Sequence, residues 1–315
     1  MWMLLAIALP MLAGGALAAW RPKDRTARQN FVVGSACLTA VCALAAVFTL
    51  RGEEPLVLLS MGEKLTIAFQ VDGLSCIFAA LVSVLWPLAS LYAVEYMSRE
   101  GSENRFFVFY LISFGVTLGI AFSANVLTMY LFYELLTLAT LPLVMHHMDG
   151  KARYAGRVYL TYSMCGAALG FIAMVLMIEH GAWFFQFGGS VTVTASKENT
   201  LRLAYILGFF GFGVKAAVFP GHKWLLRASV APTPVTALLH AVAVVKAGVF
   251  AVARITWYGF GPDLLRGSWC QYLAMGAAVF TIVHASSKAL RTKHLKRRLA
   301  WSTVSNLSYI LLGIA

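Results

Sequence analysis

The chain has 315 residues, of which 60% are hydrophobic and only 12% charged. A soluble domain of this length carries about 25% charged residues, and the apolar residues here come in long blocks, not amphipathic stripes, which excludes a soluble enzyme and implies an all-α polytopic membrane protein. The formal net charge of +12 does not point to nucleic acid as a partner, because the basic residues sit in short loops between apolar segments.

A spanning helix needs about 20 mostly apolar residues. Ten segments meet that length, at 1–20, 30–50, 74–97, 106–122, 125–147, 154–178, 201–219, 233–258, 269–287 and 299–315. The first has no positive region ahead of it, and its basic cluster follows it. It therefore reads as a membrane helix with its N-terminus outside, not as a signal peptide. The loops between 55–72 and 190–195 alternate in polarity; the first, around Gly62-Glu63-Lys64, predicts an outer β-hairpin, and the second predicts a weaker strand.

The loops also set the orientation. Seventeen of the 25 basic residues fall on one side of this map, among them Lys23, the Lys151–Arg157 cluster and the Lys288–Arg298 run. Six fall on the other: Arg51, Lys64, Lys197, Arg202, Arg254 and Arg266. The excess marks the first side as cytoplasmic, and the Lys288–Arg298 run also has the composition to attract anionic lipid. Two basic residues are left over inside the spans, Lys215 and Lys246. Of the acids, only Glu134 falls near the middle of a span, whereas Asp72 and Glu95 fall at helix ends where water can solvate them.

Charge inside hydrocarbon costs enough that an intramembrane ionisable residue is a functional hypothesis by default. Glu134 stands among Phe, Tyr and Leu in MYLFYELLTLATLPLV, and Lys215 is its obvious counter-charge. A static ion pair locking two helices would use the same residues. Lys215 precedes Pro220 by five residues, and Pro220 removes a donor from the helix ladder. A broken helix there exposes backbone groups that can bind ions or water; the competing reading is an ordinary helix end with Lys215 reaching for the interface. His240 and Lys246 share one apolar segment, six residues apart, which in a regular helix is about 9 Å of rise and about 240° of rotation. They do not share a face, so they act as successive stations only if that helix is locally distorted. Histidine is the side chain suited to proton exchange near neutral pH.

Metal and cofactor chemistry finds no support in the residues. Cys37, Cys42, Cys76, Cys165 and Cys270 lie in or beside apolar segments with no Cys-x-x-Cys pair. His146, His147 and Asp149 have the composition of metal ligands, but adjacent His side chains diverge on a helix. No nucleotide, flavin or metal motif is present, so this chain is expected to carry no cofactor.

The stretch VKAAVFPGHKWLLRASVAPTPVTALLHAVAVVKAG at 214–248 resembles the signature of the antiporter-like proton-translocating membrane subunits. That family includes the antiporter-like subunits of respiratory complex I, the large subunits of Mrp-type sodium/proton antiporters, and membrane subunits of energy-converting hydrogenases. VDGLSCIFAALVS, EYMSREGSENRFFVFYL and LKRRLAWSTVSNLSYILLGIA resemble further family blocks, so the likeness runs from about Val71 to Ala315. It implies an ion path through Glu134 of the fifth helix, Lys215 of a broken seventh helix, and His240 and Lys246 of the eighth, in which weakening the Glu–Lys pair drives the proton onward.

It further implies three parts: 1–105 with helices 1–3 and the outer hairpin, 106–258 as the first five-helix transport repeat, and 259–315 as the start of a second, truncated repeat. The expected setting is a bacterial or archaeal plasma membrane, with other membrane subunits, the lipid bilayer and protons or sodium as partners. Two departures stand out. Where the family follows its Trp-Leu-Pro or Trp-Leu-Ala turn with an acid, this chain has Trp224-Leu225-Leu226-Arg227. The run of helices also stops at Ala315, before the second repeat is complete. Three readings stay open: a subunit of a redox-driven proton-translocating complex, with the electrons handled elsewhere; a Mrp-type cation/proton antiporter subunit without a redox partner; and a non-transporting structural subunit or remnant.

Overall fold

Apolar blocks of this length cannot leave backbone N–H and C=O groups unpaired in hydrocarbon, and they close on themselves as helices. The computed structural model describes residues 1–22, 24–62 and 64–315. Lys23, counted with the basic loops, and Glu63, at the expected hairpin tip, lie outside the described residues. The main helices are α1 (Trp2–Trp20), α2 (Arg25–Thr49), α3 (Gly73–Met97), α4 (Glu103–Ala121), α5 (Val126–Val144), α6 (Gly150–Glu179), α7 (Glu198–Gly213), α8 (Lys223–Ala228), α9 (Thr233–Phe260), α10 (Trp269–Arg291) and α11 (Leu295–Ile314), with a single turn at Pro262–Leu265 between α9 and α10. Among the described residues, eight of them are long and apolar enough to cross a membrane. The broken α7–α8 pair and α11, which opens on Lys296, Arg297 and Arg298, complete the ten expected segments. The chain is a multi-pass membrane protein.

The helix starts follow from short polar residues placed one step before the apolar runs. Asp24 caps α2 by accepting from the amides of Thr26 and Ala27, Asp72 caps α3 through Ser75, Asn125 caps α5 through Thr128, and Asp149 caps α6 through Ala152. Each side chain satisfies a donor that the first helical turn leaves free. The expected hairpin is present, with β1 (Leu56–Ser60) antiparallel to β2 (Thr66–Phe69). It is fastened to the α4–α5 turn: the Thr128 hydroxyl accepts from the Ala68 amide at 3.0 Å, and the Asn125 amide group donates to the Thr66 carbonyl at 2.8 Å.

Two expectations fail. Residues 190–195 form no strand, because their amides go elsewhere: Ser190 N–H and Val191 N–H donate to the Gly259 carbonyl and Thr192 N–H to that of His180. Arg254, assigned to an outer loop, is fully buried; Asp72 stands at the N-terminal end of α3, as expected, with its side chain 21% exposed, and is the ion-pair partner of Arg254.

The centre of the bundle is α4 and α9, the most buried of the spans. Helix α9 touches α4, α5, α7 and α11, and it is irregular: π-helical turns at Leu238–Val242 and Ile255–Phe260 interrupt it. Helices α6 and α7 meet at glycines. A methyl built on Gly211 would fall 2.5 Å from the Gly170 nitrogen and 2.9 Å from the Gly166 carbonyl oxygen, so only small residues let these two backbones approach.

Candidate functional site

The seventh span is broken, but earlier than Pro220 alone implies. Helix α7 ends at Gly213, and 214–222 run without regular helix until α8 begins at Lys223. Lys215 therefore stands in the unwound stretch, not in a helix. Ala217 takes a left-handed backbone conformation (φ 60°), which turns the chain and is costly for a residue with a Cβ. The Phe219–Pro220 peptide is cis.

The polar groups freed by the break are taken by side chains from neighbouring elements. The Tyr133 hydroxyl of α5 donates to the Phe212 carbonyl at 2.7 Å, and the Trp224 indole N–H of α8 donates to the Val214 carbonyl at 2.7 Å. The Phe219 amide donates to the Thr281 hydroxyl of α10 at 3.1 Å. Buried backbone groups need such partners, and these three bonds fix the unwound segment against α5, α8 and α10.

Lys215 is 1% exposed. Its ammonium donates to the Tyr133 carbonyl, stands 3.3 Å from the centroid of the Tyr133 ring, and lies 3.9 Å from Glu134 Oε1. Consecutive residues of α5 thus supply a carbonyl, an aromatic face and a carboxylate to one cation. The Glu134 side chain is 22% exposed, and its Oε1 has no hydrogen-bond partner within the chain.

The other two expected residues are placed differently. His240 lies in the first π-helical turn of α9, half-buried, with Nε2 enclosed and without a hydrogen-bond partner. No ion pair or hydrogen bond links it to Lys215 among the described residues. Lys246 is turned away. Gly248 faces the break so closely that a methyl there would come within 2.4 Å of the Ala216 nitrogen and 2.7 Å of the Lys215 carbonyl carbon. Two residues earlier on the helix is about 200° of rotation. Lys246 accordingly lines a groove of about 650 Å³ between α3, α9 and α11, beside Phe78, Leu81 and Ile310. The structure brings Glu134 and Lys215 together, and directs Lys246 to the opposite side of α9.

Sequence reasoning missed a second buried cation. Arg254 is 0% exposed and pairs with the Asp72 carboxylate. It also donates to the Ser75 hydroxyl at 2.8 Å and to the Ser123 carbonyl at 3.4 Å, and its guanidinium lies 4.8–5.2 Å from the rings of Phe185, Phe250 and Tyr258. The signal in the sequence is its position inside the apolar 233–258 segment, four residues from its end.

Residues 123–315 match the family model described as NADH:quinone oxidoreductase/Mrp antiporter, transmembrane, which is more than half of the chain. The chain belongs to this family. Residues 59–107 match a second model, described as the N-terminus of chain 5 of NADH-ubiquinone oxidoreductase (complex I). The chain is similar to a Na(+)/H(+) antiporter subunit from Alkalihalophilus pseudofirmus, 36% identical over 262 residues, covering 81% of this chain and 31% of the relative. It is 28% identical over 307 residues to a probable K(+)/H(+) antiporter subunit from Rhizobium meliloti, covering 95% of this chain and 30% of that one. It thus spans about 30% of the length of these relatives.

Two solved structures share the fold. One is the Mrp complex from Dietzia sp., with a TM-score of 0.82 and 21% identity over 100% of this chain and 34% of the matched chain. The other is an archaeal membrane-bound sulfane sulfur reductase, at 0.81 and 21% over 99% and 64%.

Proposed function

We propose that this chain is an ion-translocating, antiporter-like subunit of a multi-subunit membrane complex, moving protons through Glu134, Lys215 and His240. The observation that carries the reading is an ammonium 1% exposed, 3.9 Å from a carboxylate, on an unwound segment between two half-helices. Removing one partner of a buried pair costs about 3–5 kcal/mol, because the other charge is left uncompensated. In this reading a change of protonation at one group alters the charge that holds the other, which is the coupling a proton relay uses. His240 Nε2, enclosed and unpaired within the chain, is the next station. Lys246 passes the charge to the far side of α9, toward the groove with Ile310. In this scheme 106–258 act as the transport repeat.

Between the two transporting readings, the relatives favour one. Those that the chain resembles at 28–36% identity bear the names of Na(+)/H(+) and K(+)/H(+) antiporter subunits, so cation/proton antiport without a redox partner takes precedence over a redox-driven complex. The excess of Arg and Lys on the α1–α2, α3–α4 and α10–α11 loops supports a cytoplasmic assignment for that face and an outside N-terminus in a cell membrane.

The test is Lys215→Met in sealed vesicles carrying the assembled complex, with a pH gradient imposed and sodium or potassium added. Loss of cation-dependent proton movement, with the complex still assembled, is the expected result. Unchanged movement removes Lys215 from the path. Movement that appears only when an electron donor is supplied restores the redox-driven reading.

A further inference from the structure

Two adjoining clefts open on the face that carries the basic loops, and a groove along the α6 and α7 spans runs into one of them. A cleft of about 470 Å³ is walled by Lys223 and Arg227 of α8, Lys288 of α10 and Arg297 of α11. A second, of about 360 Å³, shares Arg227 and Arg297 and adds Lys151 of α6. A third, of about 560 Å³, is an apolar groove between α6 and α7, lined by Tyr162, Leu169, Phe210 and Val218, and it ends on Lys223. Lys223 therefore belongs to both the basic cleft and the apolar groove. Among the described residues, no carboxylate lines any of the three.

His222 forms part of the floor of the basic cleft. It is 3% exposed, and its Nδ1 is enclosed without a hydrogen-bond partner. Its ring is set by Phe219, His284 and Trp301 at centroid distances of 5.3–5.6 Å. The two adjoining clefts together present five cations, from Lys151, Lys223, Arg227, Lys288 and Arg297, with no carboxylate among their lining residues, and that charge fits an oxyanion. Arginine's planar fork matches phosphate in two-point contact. Position 227, where the family resemblance places an acid, is one of the two arginines.

The groove decides what the phosphate is attached to. A free anion would use the cleft and leave the groove unexplained, whereas a lipid uses both. We propose that this site binds the phosphate headgroup of an anionic membrane lipid in the cleft of Lys223, Arg227, Lys288 and Arg297, with an acyl chain in the α6–α7 groove. The bound lipid bridges α6, α8, α10 and α11, which are elements on both sides of the unwound segment.

The test is native mass spectrometry of the full chain in detergent, with phosphatidylglycerol, phosphatidylcholine or inorganic phosphate added. Phosphatidylglycerol should be retained in preference to phosphatidylcholine. Arg227→Gln and Lys288→Gln should each lower that retention about fivefold, the effect of one cation near an anionic headgroup. Arg291→Gln and Lys293→Gln, equally basic but outside the cleft, should not. Leu169→Trp should weaken phosphatidylglycerol and leave inorganic phosphate unaffected. If Arg227→Gln fails to fold, Arg297→Gln reads the same cleft from an exposed position. Equal retention of the two lipids overturns the site, and so does an equal loss in the outside variants, which would mean diffuse surface attraction. Inorganic phosphate bound as well as the lipid, with no effect of Leu169→Trp, overturns the lipid assignment.

Discussion

Gly248 of α9 lies directly against the backbone of Lys215 and Ala216, closer than any side chain allows. The glycine lets α9 press on the unwound segment and hold its lysine against α5. Gly248→Ala forces a methyl into a space of 2.4–2.7 Å. Overpacking of this kind costs about 1–3 kcal/mol. The variant should melt several degrees lower in detergent and lose ion movement, although it touches neither Glu134 nor the Lys215 ammonium. Wild-type melting would mean that the two elements separate freely.

The Glu134–Lys215 pair predicts non-additivity. Glu134→Gln leaves the ammonium its carbonyl and its aromatic face, so its cost should fall below the full penalty of a broken buried pair, at about 1–3 kcal/mol. Lys215→Met leaves the carboxylate alone in a site that is 22% exposed. The double variant should be more stable than the sum of the single effects implies, by at least about 1 kcal/mol. Unfolding measured on all four proteins checks this, and strict additivity would show that the two charges do not interact.

Arg254 and Asp72 form a second pair, buried to the same degree as Lys215 and Glu134. Arg254→Met removes the guanidinium from Asp72, Ser75 and Ser123 at once and should cost about 3–5 kcal/mol. Arg254→Lys should recover little of it, because a single ammonium cannot reach all three acceptors in a fork. Thermal unfolding in detergent distinguishes these outcomes, and full recovery by lysine would show that charge alone matters here.

His146, beyond the end of α5 on the basic face, predicts a pH dependence. Burial pushes its pKa below the ordinary 6.5; the Gly101 carbonyl opposes that, while Arg105 and His147 add to it. The folded chain therefore holds this imidazole neutral more strongly than the unfolded chain does. Its contribution is complete above about 6.5 and is lost as the pH falls through the lower folded-state value. The melting temperature should drop on acidification below about pH 6.5, and His146→Gln should flatten that slope. An unchanged slope would assign the acid sensitivity to other groups.

The ten-helix plan was legible because hydrocarbon imposes length and polarity on each span, and the hairpin because 55–72 alternates around a Gly-containing turn. Glu134 stood out because it is an acid near the middle of a span, and Lys215 because it is a cation within a span, five residues before a proline that breaks the helix. The direction of Lys246 was not legible. Spacing gives rotation along a regular helix, but only the contact of Gly248 with the break says which face looks inward. The Arg254–Asp72 pair was hidden because its members are 182 residues apart and each sits near the end of a span. The strand expected at 190–195 failed because alternation says nothing about a ladder partner, and these amides bond to Gly259 and His180 instead.

The bond from the Phe219 amide to the Thr281 hydroxyl has a mechanical corollary. Had the seventh span stayed helical, that amide would have closed a turn within its own helix. Here it is tethered to α10, and Thr281 in turn donates to the Ala277 carbonyl. A displacement of the unwound stretch must either snap this tether or drag α10 with it. Helix α10 is thereby geared to the segment that holds the buried ammonium.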